Sequence, residues 1–433
     1  MSRVIRNFDA LALSDLRIDA LSIAEAGYAA LDVGAALTHN LRIEQDELLV
    51  KVRPSQKDTA YSIRGRNVFF VGIGKCAFAA AAAIEQILGD RLTGGVALDV
   101  SARDRGGSRK IEPYVGTHPL PSEANERATD RILAFLEERG ESDIVLMLIS
   151  GGGSTLLCRT EAPMTCLEES AIFKELTKKG ATIAEINTVR KHLSRARGGG
   201  LAKAAYPAEV LSFIVSDVPG DDVRLIASGP TIRDSSTIED ARHVLDTYGI
   251  SNIQLLETPK EETYFERVRN ILFLTSQSAL DAMRAEAVDR GYQPAIADDR
   301  FSGEAREIGR AIGAKLHDSP PGSALLFAGE STVTLGNSSG TGGRNQEMAL
   351  AALRDMREGE LFLPFASDGH DNTDAAGAIS DALSRAHAEE NKLSITDYLE
   401  GHRSYDFFRS TGDALITEYT GTNVSDLIIA LKK

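Results

Sequence analysis

The chain has 433 residues, too many for one ordinary hydrophobic core, so two domains are expected. Apolar content of 42% and charged content of 26% are those of a water-soluble globular protein. With 63 acidic against 48 basic residues the formal net charge is −15, which argues against nucleic acid or an anionic membrane as partner.

The first residues, Asp9–Leu37, read as helix, with apolar side chains at Leu13, Leu16, Ala20, Ile23 and Tyr28. Leu41–Val52 reads as an extended piece. Next come strand Val68–Val71, the turn Gly72-Ile73-Gly74-Lys75 and an alanine-rich helix. Gly95–Val100 is the following strand. Asp143–Ile149 (DIVLMLI) is apolar on both faces, as in a parallel sheet covered by helices, and ends in SGGGS. Helices follow over Leu167–Gly180 and Thr182–Lys203; strand Val210–Val215 ends in SDVPGDD. The polar stretch Ser251–Glu266 reads as a linker. Strand and helix signals resume at Ile271–Thr275, Ser278–Gly291, Gly303–Leu316 and Ala324–Ala328. Then come the loop Ser338–Glu347 (SSGTGGRNQE), a helix, and strand Leu361–Ala366 ending in SDGHDNTD.

Strand, loop and helix recur in that order. The expected fold is therefore α/β: residues 1–252 form a Rossmann-like domain and residues 268–433 a second one. Each holds a mainly parallel sheet flanked by helices, with the active site in the interdomain cleft. Three cysteines, Cys76, Cys158 and Cys166, do not make a disulfide framework or a structural zinc site, which points to a reducing, cytoplasmic compartment. The longest apolar run is too short to span a bilayer.

The chemistry sits at strand ends. Gly72 and Gly74 let a backbone turn approach a phosphate, and Lys75 adds a mobile charge. With Ala77, and with Asp99 at the end of the next strand, the same turn also fits a loose dinucleotide-binding pattern. Ser150, Gly151, Gly152, Gly153 and Ser154 can form a cradle of N–H groups, or a packing turn. Gly342, Gly343 and Asn345 open a helix whose unpaired N–H groups suit an anion, with Arg344 as a fixed cation. The basic run Arg190, Lys191, Arg195 and Arg197 supplies cations, of which Arg190 and Lys191 are the expected substrate-binding pair. Asp217 and Asp368 are candidate Mg2+ ligands, and Asp217 also a candidate base. Glycine loops, cations and carboxylates together suit phosphoryl transfer, which needs positioning and charge neutralisation.

In chain order the motifs are GIGK at Gly72, HPLP at His118, SGGGS at Ser150, NTVRKHLS at Asn187 and RGGGLA at Arg197. SDVPGDD at Ser216, IASGPT at Ile226, GGRNQE at Gly342, DG…TDAAGA at Asp368 and TGTNVSDL at Thr420 follow. This succession resembles the two-domain glycerate 2-kinases with a MOFRL C-terminal domain. The resemblance implies ATP- and Mg2+-dependent phosphorylation of D-glycerate to 2-phospho-D-glycerate. It also implies that a lysine at Lys75 and an arginine at Arg344 are essential; a monomer or homodimer is the expected assembly. Relatives labelled hydroxypyruvate reductase make a nicotinamide-dependent reductase the alternative. Cys76-Ala77-Phe78 and the loop GHDNTD depart from the usual pattern and leave a related short hydroxy acid open as substrate.

Overall fold

In the computed structural model, residues 3–51, 59–102, 107–218, 220–336 and 340–433 are described. Val52, Pro219, Ser338 and Ser339 of the expected segments lie outside them. The chain divides into two compact units, Val33–Phe273 and Met1–Asp32 with Leu274–Lys433. This differs from the division expected at residues 252 and 268, because the first helices pack with the C-terminal unit. Arg17 explains that placement. Its guanidinium is fully buried, with Nε 2.7 Å from Asp381 Oδ2 and Nη1 2.8 Å from Asp413 Oδ1. Gly27 on the same helix lets Met283 approach; a Cβ there would meet Met283 Sδ at 3.0 Å.

The single long helix expected near the N-terminus is three: Phe8–Leu11, Asp15–Ala30 and Val33–Asn40. Ser14 caps the second by accepting from Arg17 N–H. Leu41–Glu44, Glu47–Val50 and Thr59–Ser62 form a small antiparallel sheet.

The main sheet of the larger unit has the order Ile111–Val115, Leu92–Asp99, Asn67–Ile73, Asp143–Ile149, Glu209–Val215, Val268–Leu274. The first five strands are parallel neighbours. Apolar faces of Phe69, Val71, Val96, Val145 and Met147 are closed over by helix residues such as Ile132 and Leu136. Each such fully buried side chain contributes about 1.5–3 kcal/mol. Strand register decides what meets at the rim. Ile73 lies opposite both Leu98 and Ile149, and Ile149 lies opposite Ile214. The loops after three neighbouring strands, carrying Lys75, SGGGS and Asp217, therefore leave the sheet side by side.

The strand Val268–Leu274 belongs to this sheet rather than opening the second domain. The stretch before it is packed, not a free linker: Leu256 N–H donates to His192 O at 2.7 Å, and Lys260 Nζ reaches Thr258 Oγ1 at 2.6 Å.

The other unit's sheet has the order Gln293–Glu304, Ser323–Thr332, Asp426–Lys432, Glu360–Ala366, Gly377–Ala378, Ala414–Leu415. Among the described residues only the first pair is parallel; Asp426–Lys432 runs antiparallel to both neighbours. The expectation of a mainly parallel second sheet is thus corrected to a mixed one. An antiparallel insertion needs no crossover helix, so the strand–helix rhythm of the sequence did not announce it. Among the described residues no single helix is long and apolar enough to cross a membrane.

Candidate active site

Three places were expected to offer backbone N–H groups to an anion, and the structure separates them sharply. At the first, helix Ala77–Leu88 behind GIGK, the buried Asp99 carboxylate accepts from Phe78 N–H at 3.1 Å, and from Val100 and Ser101 N–H. The helix end is closed by the protein's own anion. Gly74 N–H is also spent, on Leu98 O, and Gly72 lies within the strand ladder. These two glycines serve packing: a Cβ on Gly74 would lie 2.1 Å from Ser150 Oγ, and one on Gly72 2.9 Å from Phe70 Cε1. Their expected phosphate contact is corrected accordingly.

The second place, helix Arg344–Leu353, is closed in the same way. Asp371, buried, accepts from Asn345 N–H at 3.1 Å and Gln346 N–H at 2.8 Å. Asn345 is buried, and its amide nitrogen donates to Asp371 and Asp426. A Cβ on Gly343 would meet Asp371 O at 2.0 Å, and one on Gly342 would meet Ser404 Oγ at 2.1 Å. Gly342, Gly343 and Asn345 therefore seat a carboxylate of the protein and a neighbouring helix, not an open phosphate cradle. Arg344 itself is half-buried, with Nε 2.6 Å from Asp426 Oδ2 and Nη1 on Glu330. Burial pushes the Asp426 carboxyl up to about 7; Arg344 pulls it down, while Asp371 adds to the rise.

The third place is open. Gly151 and Gly152 make no N–H hydrogen bond among the described residues, and Gly152 has φ +83°, the left-handed turn that exposes consecutive amides. The loop is laced to its neighbours: Lys75 N–H donates to Gly151 O at 3.1 Å, and Ser150 N–H to Ile73 O at 2.9 Å. Ser150 is buried and acts as that clip. A Cβ on Gly151 would lie 2.6 Å from Asp217 Oδ2; one on Gly152 would lie 3.5 Å from both Lys75 Cγ and His118 Cδ2. The amides thus sit between a carboxylate and a lysine stem. Partial desolvation by its neighbours and then the Lys75 ammonium lower the His118 pKa below its usual value, although the residue as a whole is exposed. Cys76 is a buried thiol pushed up to about 12, chiefly by burial, and is no nucleophile at neutral pH.

Behind the loop, Gly153 packs on Ala227, and Ser154 Oγ lies 2.9 Å from Ser228 Oγ. Ser228 in turn donates to the buried Asn187 Oδ1 at 3.0 Å. Three sequence motifs are joined by that chain. Of the basic run, Arg195 is exposed. Lys191 is 3.1 Å from the buried Asp234, so the expected substrate contact is replaced by a structural ion pair. Arg190 stacks over Phe173 at 4.4 Å. His192 bridges Leu256 O and Ser236, a structural role. Asp222 pairs with Arg224 at 2.6 Å, and Asp368 Oδ1 accepts from His370 N–H at 3.2 Å within its own turn. Cys158 and Cys166 are bonded, which removes the cysteine argument for a reducing compartment.

Residues 19–257 match a domain of unknown function, DUF4147, and residues 323–426 match the MOFRL family. A D-glycerate 2-kinase of Thermotoga maritima is 38% identical over 394 residues, covering 87% of this chain and 93% of its own. The chain belongs to the two-domain glycerate 2-kinase family. The crystal structure of a Thermotoga maritima glycerate kinase superposes on it with a TM-score of 0.86 at 34% identity, covering 96% of this chain and 99% of that one. A relative from Agrobacterium vitis, 39% identical and covering 84% of this chain and 86% of its own, carries the provisional name hydroxypyruvate reductase.

For a glycerate 2-kinase family member, four groups gain roles in the structure that the sequence alone did not assign to them. Asp99 and Asp371 close the two helix ends. His118 flanks the open amides, and the buried Arg197–Glu169 pair lies beside Arg190. His118 and Arg197 stood within motifs, HPLP and RGGGLA, so a signal existed. Asp99 was visible only as a ribose-binding candidate.

Proposed function

We propose that the protein is a phosphotransferase that moves the γ-phosphoryl group of ATP to the 2-hydroxyl of D-glycerate. The observation that carries this reading is the pair of open amides at Gly151 and Gly152 beside Lys75, where two comparable helix ends are filled by internal carboxylates. Open amides, Ser154 and Lys75 receive the transferring phosphoryl group and its neighbours. Fixed N–H donors and a nearby ammonium stabilise charge that develops there without reorganising. Arg344, held by Asp426 and Glu330 within the other unit, is the second cation whose replacement should lower turnover.

Asp217 suits Mg2+ by position: a half-buried carboxylate at a strand end, packed on the amide loop. Mg2+ would supply charge neutralisation at the phosphates. Asp217 would hold it, Asp368 of the other unit being the alternative candidate, and Asp217 is our candidate to accept the hydroxyl proton.

A nicotinamide-dependent reduction is disfavoured by Asp99. A ribose-binding acid must keep its carboxylate for the cofactor, and here three N–H groups occupy it. A coupled assay separates the readings. ADP release that needs D-glycerate and Mg2+ supports the kinase; oxidation of a reduced nicotinamide by hydroxypyruvate without ATP refutes it.

A further inference from the structure

A cavity of about 390 Å³ opens within the larger unit alone, next to the amide loop. Ser154 and Thr155 form one edge and Pro119–Pro121 another, so the cavity adjoins both the SGGGS and HPLP motifs. Its wall carries four cations, Lys174, Lys178, Arg190 and Arg197, and one carboxylate, Glu169. That excess stands out in a chain of net charge −15.

Among the described residues neither arginine is fully satisfied by the protein. Arg197 is 1% exposed; Nη1 pairs with Glu169, but Nε is buried without a hydrogen-bond partner. Arg190 makes no hydrogen bond or ion pair among the described residues and rests only on the Phe173 ring. Burial, and then Arg197, depress Arg190 to about 10, which leaves it charged at pH 7. Glu169, the one carboxylate on the wall, pairs with Arg197 and faces Arg190 as well, so the cavity wall keeps an excess of positive charge. Guanidinium forks match phosphate oxygens in shape and charge. Lys174 and Lys178 are exposed and add attraction at the mouth. A cavity of this size holds a ligand larger than a three-carbon acid.

We propose that this cavity binds a phosphate-bearing small anion through Arg190 and Arg197. The site deepens the proposed kinase reading, on which it rests only for the identity of the anion. Two sources share the chemistry: the polyphosphate of a nucleotide, and the phosphorylated hydroxy acid that the reaction releases.

Isothermal titration of the full chain with inorganic phosphate, ADP, 2-phosphoglycerate and D-glycerate tests it, none of which turns over alone. Arg190→Gln should weaken at least one phosphate-bearing ligand tenfold or more. Without ligand its melting temperature should hold or rise, because one of two neighbouring like charges has gone. Loss confined to ADP assigns the nucleotide; loss confined to 2-phosphoglycerate assigns the acid. Unchanged affinity for all three phosphate ligands would overturn the proposal. So would weakening of D-glycerate alone. If Arg190→Gln does not fold, Lys174→Gln/Lys178→Gln at the exposed mouth decides. Weaker phosphate binding with a shallower salt dependence supports the site, and no change refutes it. Binding that depends on Arg190 in a protein without glycerate kinase activity would sink the kinase reading alone. Kinase activity with Arg190-independent binding would sink this inference alone.

Discussion

Replacing Gly151 by alanine isolates the geometry of the amide loop. Gly151 is outside the left-handed region, so alanine fits its backbone. The new methyl would lie 2.6 Å from Asp217 Oδ2 and 3.3 Å from Asp217 Cγ. Ordinary carbon–oxygen contact requires the carboxylate or the loop to retreat by about 0.7 Å. A misplacement of about 1 Å costs on the order of a hundredfold in rate, so kcat/KM for D-glycerate should fall roughly 20- to 100-fold. That is about 2–3 kcal/mol of transition-state stabilisation. Asp217 is half-buried and can shift toward solvent, so unfolding free energy should change by only about 1 kcal/mol. Gly153→Ala is the contrast. Its methyl meets the Ala227 methyl carbon at 2.6 Å in a packed turn, so it should lower stability by about 1–3 kcal/mol through overpacking. Coupled ADP release and urea unfolding on both variants separate the effects. Turnover of a folded Gly151→Ala within threefold of the unsubstituted protein would refute the role given to the Asp217–Gly151 contact.

Other outcomes follow from single surroundings. His118 should titrate below the usual histidine range by NMR, and Lys75→Met should move it upward by removing the neighbouring cation. A base whose folded value is depressed binds fewer protons when folded. His118 therefore erodes stability as pH falls through about 6.5, and titration at or above that value would contradict the placement. Asp371→Asn loses the charge that closes helix Arg344–Leu353, and urea unfolding should show a loss of about 1–3 kcal/mol. Arg17→Ala strands two buried carboxylates and should cost about 3–5 kcal/mol by the same measurement, where a cost below 1 would contradict the buried triad.

What could be read in the sequence was what is local. Apolar runs such as Asp143–Ile149 announced central strands, and the glycines after that strand marked a loop whose amides are open. Long-range closure could not be read. Asp99 reaches Phe78 across 21 residues, Asp371 reaches Asn345 across 26, and Arg17 meets Asp381 across 364. A helix start looks unoccupied in sequence until the carboxylate that fills it is placed in space. The orientation of the last strand had the same difficulty. Asp426–Lys432 is apolar enough for a core strand, but nothing local states that it enters between Ser323–Thr332 and Glu360–Ala366 in reverse. Lys191 shows the converse case. It stands in a basic run that suits a substrate, yet Asp234, 43 residues away, takes its charge.

The most direct test of the open cradle is a crystal structure with a non-hydrolysable ATP analogue, Mg2+ and D-glycerate. Phosphate oxygens should lie within hydrogen-bond distance of the Gly151 and Gly152 amides and Lys75 Nζ, with Asp99 and Asp371 still on their helix ends. Phosphates seated instead at the start of helix Ala77–Leu88 or Arg344–Leu353, with either aspartate displaced, would contradict it.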